Sequence, residues 1–179
     1  MMAMKMDRRA FLKTSAAMAV AVSMTGLLGG CSDGDTLAPN EVRVGQYLIS
    51  IDDLDIGYGG EESTGLKNFL KAKVTLKFEG SASEFQATGY AGMFKASVNG
   101  EALETVAPVK GTLIASNFAW GTLFGRTTVD LKMDFKTAEA LAAYKSGTPA
   151  ELTIKIAGNT ATMYLLRQNG KYIALRELA

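Results

Sequence analysis

Apolar and polar residues alternate with a period of two along several stretches of the chain. The longest runs are at 71–78, 128–135 and 151–156. Successive side chains of a strand point to opposite faces of a sheet, so each run predicts a strand with one buried face. Such strands are typical of antiparallel sheets with one face in water.

Two Asn-Gly pairs predict tight hairpin turns, because a type I′ turn needs positive φ at both central residues. Asn99-Gly100 is predicted to join strands at 94–98 and 101–105, and Asn169-Gly170 to join strands at 160–168 and 171–176. Further strands are predicted at 42–51, 84–91 and 109–118, and 119–127 is expected to lead into the strand that ends at Phe135.

One short helix is predicted at 137–145, a stretch of good helix formers that Gly147 and Pro149 would end. Two to three turns are not stable alone, so Leu141 and Tyr144 should pack against a sheet. Many short strands and one helix predict an all-β fold, an antiparallel two-layer sandwich. A small closed β-barrel is the alternative.

The first thirty residues have the composition of an export signal. A basic start precedes an apolar stretch at 15–28 and a small-residue exit. The apolar stretch is shorter than the ~20 residues that a spanning helix needs. The start resembles the twin-arginine consensus, Ser/Thr-Arg-Arg-x-Phe-Leu-Lys, and departs from it at Asp7. The matching residues are Arg8, Arg9, Phe11, Leu12 and Lys13.

The signal ends in Leu28-Gly29-Gly30-Cys31, which resembles the lipobox of bacterial lipoproteins. The resemblance implies that diacylglycerol is attached to the Cys31 thiol and that the chain is cut between Gly30 and Cys31. Stable anchoring takes two acyl chains or more, which this modification supplies. The predicted organisation is a cleaved signal peptide at 1–30, a lipidated tether at 31–41 and a sandwich domain at 42–179. The domain would be held by lipid on the extracytoplasmic face of a cell-envelope membrane.

The composition excludes several kinds of chemistry. The chain has no histidine and one cysteine, which excludes Ser-His-Asp and Cys-His catalysis and His-ligated metal or haem sites. Lys and Arg total 19 against 18 Asp and Glu, without a basic run, so nucleic acid is not an expected partner. No cofactor is expected, with calcium the one candidate ion.

The calcium hypothesis concerns five carboxylates, those of Asp52, Asp53, Asp55, Glu61 and Glu62. Calcium takes six to eight oxygen ligands, and acids on a Gly-rich loop can supply them. The EF-hand spacing fails, since a glycine stands where a third Asp or Asn is needed. The alternative interpretation is a solvated acidic turn between strands.

Two further groups of residues are candidate contact surfaces. Phe118, Trp120 and Phe124 lie close together. They would suit sugar or protein binding on an exposed loop, but the favoured interpretation places them in the core, on one strand face. Three lysines of the 71–78 run form a second candidate, the lysine stripe: Lys71, Lys73 and Lys77. It would contact anionic lipid or wall polymer, or it is only the wet face of an edge strand.

The order of predicted elements resembles the immunoglobulin-like extracytoplasmic domain labelled DUF4352. The resemblance covers residues 42–157 and rests on a strand pair at 42–51, a long strand at 69–79, a strand and polar hairpin at 94–105, and a loose match at 134–136. It implies an immunoglobulin-like sandwich in a lipoprotein or surface protein, and it implies no particular activity.

Three functions are open on the sequence. The leading hypothesis is a non-enzymatic binding or interaction module that contacts an envelope protein or glycan through its loops or a sheet edge. The second is a carboxylate-dependent enzyme that acts on glycan. The third is a structural or assembly lipoprotein of an envelope complex.

Overall fold

A computed structural model of the chain describes residues 37–59, 67–121 and 124–178. Several predicted features lie outside these residues: the export motif (Arg8, Arg9, Phe11, Leu12 and Lys13), the cleavage and lipidation site (Gly30 and Cys31) and two candidate calcium ligands (Glu61 and Glu62). The described part is an antiparallel all-β sandwich with one helix, which confirms the predicted fold class. Its sheets have open edges, so the closed-barrel alternative is wrong.

The first sheet has the strand order β1-β2-β3-β10-β7, and β9 also pairs with β10. Its strands are β1 (Glu41–Val44), β2 (Tyr47–Gly59), β3 (Lys67–Phe78), β7 (Glu104–Ala107), β9 (Ala119–Trp120) and β10 (Gly125–Asp134). The predicted alternation is confirmed, because the apolar positions of β3 and β10 are buried and the polar positions face out.

The second sheet has the order β13-β12-β11-β5-β6. Its strands are β5 (Phe94–Val98), β6 (Glu101–Ala102), β11 (Ala150–Ile156), β12 (Asn159–Gln168) and β13 (Lys171–Leu175). The apolar faces of the two sheets contribute to one core. Two short strands, β4 (Thr88–Gly89) and β8 (Thr112–Leu113), pair only with each other.

Both predicted Asn-Gly hairpins are confirmed. The φ angles are +51° and +79° at Asn99-Gly100, and +51° and +77° at Asn169-Gly170. A third turn of this kind, at Ala157-Gly158, joins β11 to β12 with φ of +48° and +82°. Alanine seldom adopts positive φ, so this turn lacks the sequence signal of the other two.

Three strand predictions need correction. The stretch 101–105 is not one strand: β6 belongs to the second sheet and β7 to the first, with the buried Leu103 between them. The chain thus crosses from one sheet to the other here. The segments 84–91 and 109–118 contain only the two-residue strands β4 and β8 and a 3-10 turn at Ala115–Asn117. They pack a few side chains, such as Leu113, against the core and do not extend either sheet.

The predicted helix is confirmed as α1 (Ala138–Lys145). Thr137 Oγ1 accepts a hydrogen bond from Ala140 N at 3.2 Å and so caps its start. Tyr144 is fully buried and Leu141 partly buried against the core, as expected. Among the described residues, no helix has the length and apolar character needed to cross a membrane.

Residues 38–40, which the sequence assigns to the tether, already bond to the sandwich. Arg176 N donates to Pro39 O at 2.8 Å, and Ile51 N donates to Asn40 O at 3.1 Å. The chain therefore joins the sandwich beside β1, next to the end of β13.

Candidate functional site

The described acids of the candidate calcium site lie within strand β2. Asp52 is opposite Lys73 and Asp55 is opposite Lys71, so the register shifts between them and the strand bulges. Asp53 lies in the bulge with φ of +48°. The interpretation as a turn between strands is therefore wrong for these three acids, and it stays untested for Glu61 and Glu62, which lie outside the described residues. The bulge exposes successive acids on the outer face of the first sheet.

The acidic cluster and the lysine stripe meet on this outer face, a contact that the sequence analysis did not predict. Lys71 Nζ lies 3.5 Å from Asp55 Oδ2, and Lys73 Nζ lies 3.4 Å from Asp53 Oδ2. Asp52 accepts hydrogen bonds from Ser50, Thr75 and Asn40 side chains at 3.2–3.3 Å. Each acid thus already has a polar or cationic neighbour.

Within the described ranges, no group of three or more His, Cys, Asp or Glu side chains is placed to hold a metal ion. Two of the five proposed calcium ligands lie outside those ranges, so calcium binding stays a prediction. The lysines beside Asp53 and Asp55 would oppose a cation there by charge repulsion.

An open groove of about 660 Å³ follows the bulge across β2, β3 and β10. Its lining includes Phe69, Lys71, Lys73, Asp130 and Lys132. In register, Lys73 lies between Asp52 and Asp130. Lys71 lies between Asp55 and Lys132 in the next row. We call this surface the charged groove.

One aromatic ring forms part of the charged groove. Lys132 Nζ lies 3.9 Å from the centroid of the Phe69 ring, a cation–π contact. The ring also covers Gly57, where a Cβ atom would come within 2.2 Å of it. Phe69, Asp130 and Lys132 were not singled out from the sequence. They could have been identified from their positions on the strands, because they alternate with the buried residues of β3 and β10 and so face outward.

The charged groove combines both charges with an apolar surface. Such an arrangement can orient a ligand or partner that carries positive and negative groups. The side chains of both ion pairs are half exposed or more, so each pair contributes little to stability, typically about 0–1 kcal/mol. Asp53 and Asp55 each lie beside a lysine, and the glycan-acting enzyme stays an alternative prediction.

The aromatic candidates divide between the core and the surface. Phe118 is buried and Trp120 packs against the core, with its Nε1 donating to Ala115 O at 2.8 Å. They form an aromatic cluster at one end of the sandwich with Tyr47, Phe78 and Phe85. The core interpretation is therefore confirmed for Phe118.

The predicted common strand face for the three aromatics is wrong, since β9 contains only Ala119 and Trp120. Phe124 is partly exposed and lies outside the cluster. Its ring centroid is 4.5 Å from Lys77 Nζ and 5.8 Å from Arg126 Cζ. These contacts place Phe124 beside the lysine stripe.

A second cavity of about 260 Å³ lies at the same end, lined by Gln46, Glu84, Gln86 and Asn159 above buried rings. It is smaller than most ligand pockets, which measure about 300–1,000 Å³. Glu84 Oε2 accepts hydrogen bonds from Ser81 N and Oγ at 2.7 Å. These two hydrogen bonds lower the pKa of the Glu84 carboxyl group. The Glu84 side chain therefore stabilises the turn at residues 81–84.

In comparisons with known proteins, no family model, curated protein or solved structure matches the chain. The resemblance to DUF4352 domains and the lipoprotein assignment therefore stay predictions.

Proposed function

We propose that the protein is an extracytoplasmic interaction module, held at a membrane by lipid on Cys31 and contacting an envelope protein or glycan. The observation that carries the interaction role is the charged groove. It places cations, anions and the Phe69 ring on one accessible face of a packed sheet. Binding residues on rigid strands are held in place more firmly than residues on loops.

The anchoring part of the proposal rests on the export motif and the lipobox. The way the chain joins the sandwich supports it: with Ala38–Asn40 bonded to the domain, residues 32–37 alone would separate the lipid from the fold. Six extended residues span at most about 20 Å. The β1 edge would then lie close to the bilayer.

Mass spectrometry of the chain from its native membranes tests the anchor. We expect the mature amino terminus to be Cys31 with diacylglycerol on its thiol. Cys31→Ser should abolish lipidation and release the chain from the membrane fraction. Replacing Arg8 and Arg9 by lysine should block export. An unmodified Cys31 in the wild-type chain would refute the anchor.

Photo-crosslinking in intact cells tests the interaction role. A photoreactive residue in place of Lys132 should give a discrete adduct. The same residue in place of Lys155, an exposed lysine on the outer face of the second sheet, serves as the control. Equal labelling from both positions would contradict a binding role for the charged groove.

A further inference from the structure

Strand β10 has a continuous strand partner on one side only. Its pairing with β3 runs from Gly125 to Asp134. On the opposite side, β9 pairs with Gly125 and Arg126, and β7 pairs from Lys132 onward. Between them, no described strand pairs with residues 127–131 on this side. We call this stretch the β10 gap.

The hydrogen bonds at the β9 end show which backbone groups point into the β10 gap. Gly121 N donates to Phe124 O at 2.8 Å, and bonded and non-bonded pairs alternate along an antiparallel ladder. Arg126 therefore bonds toward β9, and Thr128 and Asp130 direct their N–H and C=O groups to the same side. Both residues are exposed. Such unpaired edge groups are a template for another strand.

The connection that runs from β7, at one end of the β10 gap, to β9, at the other end, carries exposed apolar side chains. In the described part of the chain, large hydrophobic side chains are exposed at Val109, Ile114 and Leu178. Val109 follows β7 by two residues. Ile114 lies shortly before β9, with its carbonyl accepting from Asn117 N. Two of these three side chains thus belong to the connection between the two strands that bound the gap, where they are available to apolar residues of a partner strand.

The size of the β10 gap determines what can enter it. Five extended residues span about 17 Å, so the gap admits one short strand. A second copy of β10 does not fit, because its own β7 and β9 occupy the flanking positions. The occupant is therefore a short extended segment of another polypeptide.

The charges along the β10 gap favour one sequence pattern for that segment. An acidic residue opposite Thr128 would lie diagonal to Arg126, within reach of a long side chain, and a basic residue would complement Asp130. The partner residues opposite 127, 129 and 131 would face the core side of the sheet and should be apolar. For an antiparallel segment, the pattern is apolar–basic–apolar–acidic–apolar.

We propose that the β10 gap binds an extended segment of a partner polypeptide with this pattern, by strand addition. The inference rests on the proposed interaction role and names the class of partner. Lipidation and peptide binding are measured separately, so failure of the anchor and failure of this inference are distinguishable.

The test uses the full chain in mild detergent and a labelled peptide, Ser-Val-Lys-Val-Glu-Val-Ser, followed by fluorescence anisotropy. We expect saturable binding with a Kd below about 1 mM. Exchanging the Lys and Glu should weaken binding several-fold. Methylating the amide nitrogens of Lys and Glu removes two backbone donors and should weaken binding at least about tenfold. Absence of saturable binding, or equal binding of the methylated peptide, would overturn the proposal.

Matched variants locate the peptide on the protein. Asp130→Asn should lower affinity by up to about fivefold, the range of one cross-strand charge pair. Ile114→Ala should also lower affinity. Glu151→Gln, which removes an exposed acid from the second sheet, is the control and should leave affinity unchanged. Identical affinities for all three variants would place the peptide elsewhere and contradict the proposal.

Residue-resolved hydrogen exchange distinguishes a bound peptide from two other occupants of the β10 gap: another part of this chain and a second copy of it. The Thr128 and Asp130 amides should exchange fast in the free chain and slowly with peptide, while the Val129 amide is protected in both. Slow exchange of Thr128 and Asp130 in the free monomer would show that another part of this chain covers the gap. Protection that grows with protein concentration would show that a second copy does. Either result would overturn the proposal.

Discussion

Gly125 and Trp120 are paired across β9 and β10, and the indole ring occupies the space beside the glycine. A Cβ atom at Gly125 would come within 2.8 Å of the ring. We expect Gly125→Ala to displace the ring, break its bond to Ala115 O and lower the free energy of unfolding by about 1–3 kcal/mol. Urea denaturation measures the loss, and the emission of Trp120, the only tryptophan, should shift to the red.

The matched control for this substitution is Gly89→Ala. The nearest atom to a Cβ at Gly89 is 4.0 Å away, so little change is expected. Equal stability of the Gly125→Ala variant and the wild type would show that the indole is not held against Gly125.

The Tyr144 hydroxyl is buried without a hydrogen-bond partner among the described residues. Burial, with smaller effects from Tyr172 and Asp55, raises the pKa of Tyr144 well above its ordinary value of 10.0. As pH rises, the Tyr144 hydroxyl therefore ionises at lower pH in the unfolded chain than in the folded protein. Above the unfolded pKa, the free energy of unfolding should fall by up to about 1.4 kcal/mol per pH unit, until the folded pKa is reached.

Tyr144→Phe should remove this part of the alkaline destabilisation, which urea denaturation at about pH 9 and about pH 11 would detect. Some loss will remain, because burial also raises the pKa values of Tyr47 and Tyr90. An unchanged slope in Tyr144→Phe would refute the assignment.

At the scale of elements, helix α1 is short and depends on its cap. Thr137 Oγ1 holds the Ala140 amide. We expect Thr137→Ala to lower the free energy of unfolding by about 0.5–2 kcal/mol and Thr137→Ser to retain most of it. Chemical denaturation of both variants tests this. Equal losses in the two would implicate the threonine methyl group instead of the hydroxyl.

The elements predicted from sequence are those whose signal is local. Strands β3, β10 and β11 have strict alternation, and the Asn-Gly turns and α1 carry their own signals in a few adjacent residues. The segment 101–105 was predicted as one strand because it follows the Asn99-Gly100 hairpin turn. Its division at Leu103 depends on which sheet each half meets, and that is a long-range choice.

The residues of the charged groove were predictable from local sequence patterns, but their contacts with one another were not. The acids at 52–55 and the lysines of the 71–78 run were each visible as a pattern. Their meeting in the charged groove depends on the register of β2 against β3, which shifts at the bulge. Phe69 joins them because Gly57 lies beneath its ring.

At the scale of the whole molecule, the segment between β7 and β9 packs against the core through Leu113, which is fully buried. We expect Leu113→Ala to lower the free energy of unfolding by about 2–5 kcal/mol. Its neighbour Ile114 is 44% exposed, so Ile114→Ala should change stability by no more than about 0.5 kcal/mol. Denaturant melts of both variants make the comparison, and equal effects would contradict the burial of Leu113.

The class of this fold follows from the alternation in the sequence, since burying one face of many alternating strands leaves a two-layer sheet structure as the stable solution. The sequence also supplies the export and lipobox motifs, which are read as short linear patterns. The folded structure adds the strand order, the crossing at Leu103, the charged groove and the β10 gap. The physical reason is that alternation specifies which side of a strand is buried, whereas the neighbour and register of each strand are settled by packing among residues far apart in the chain.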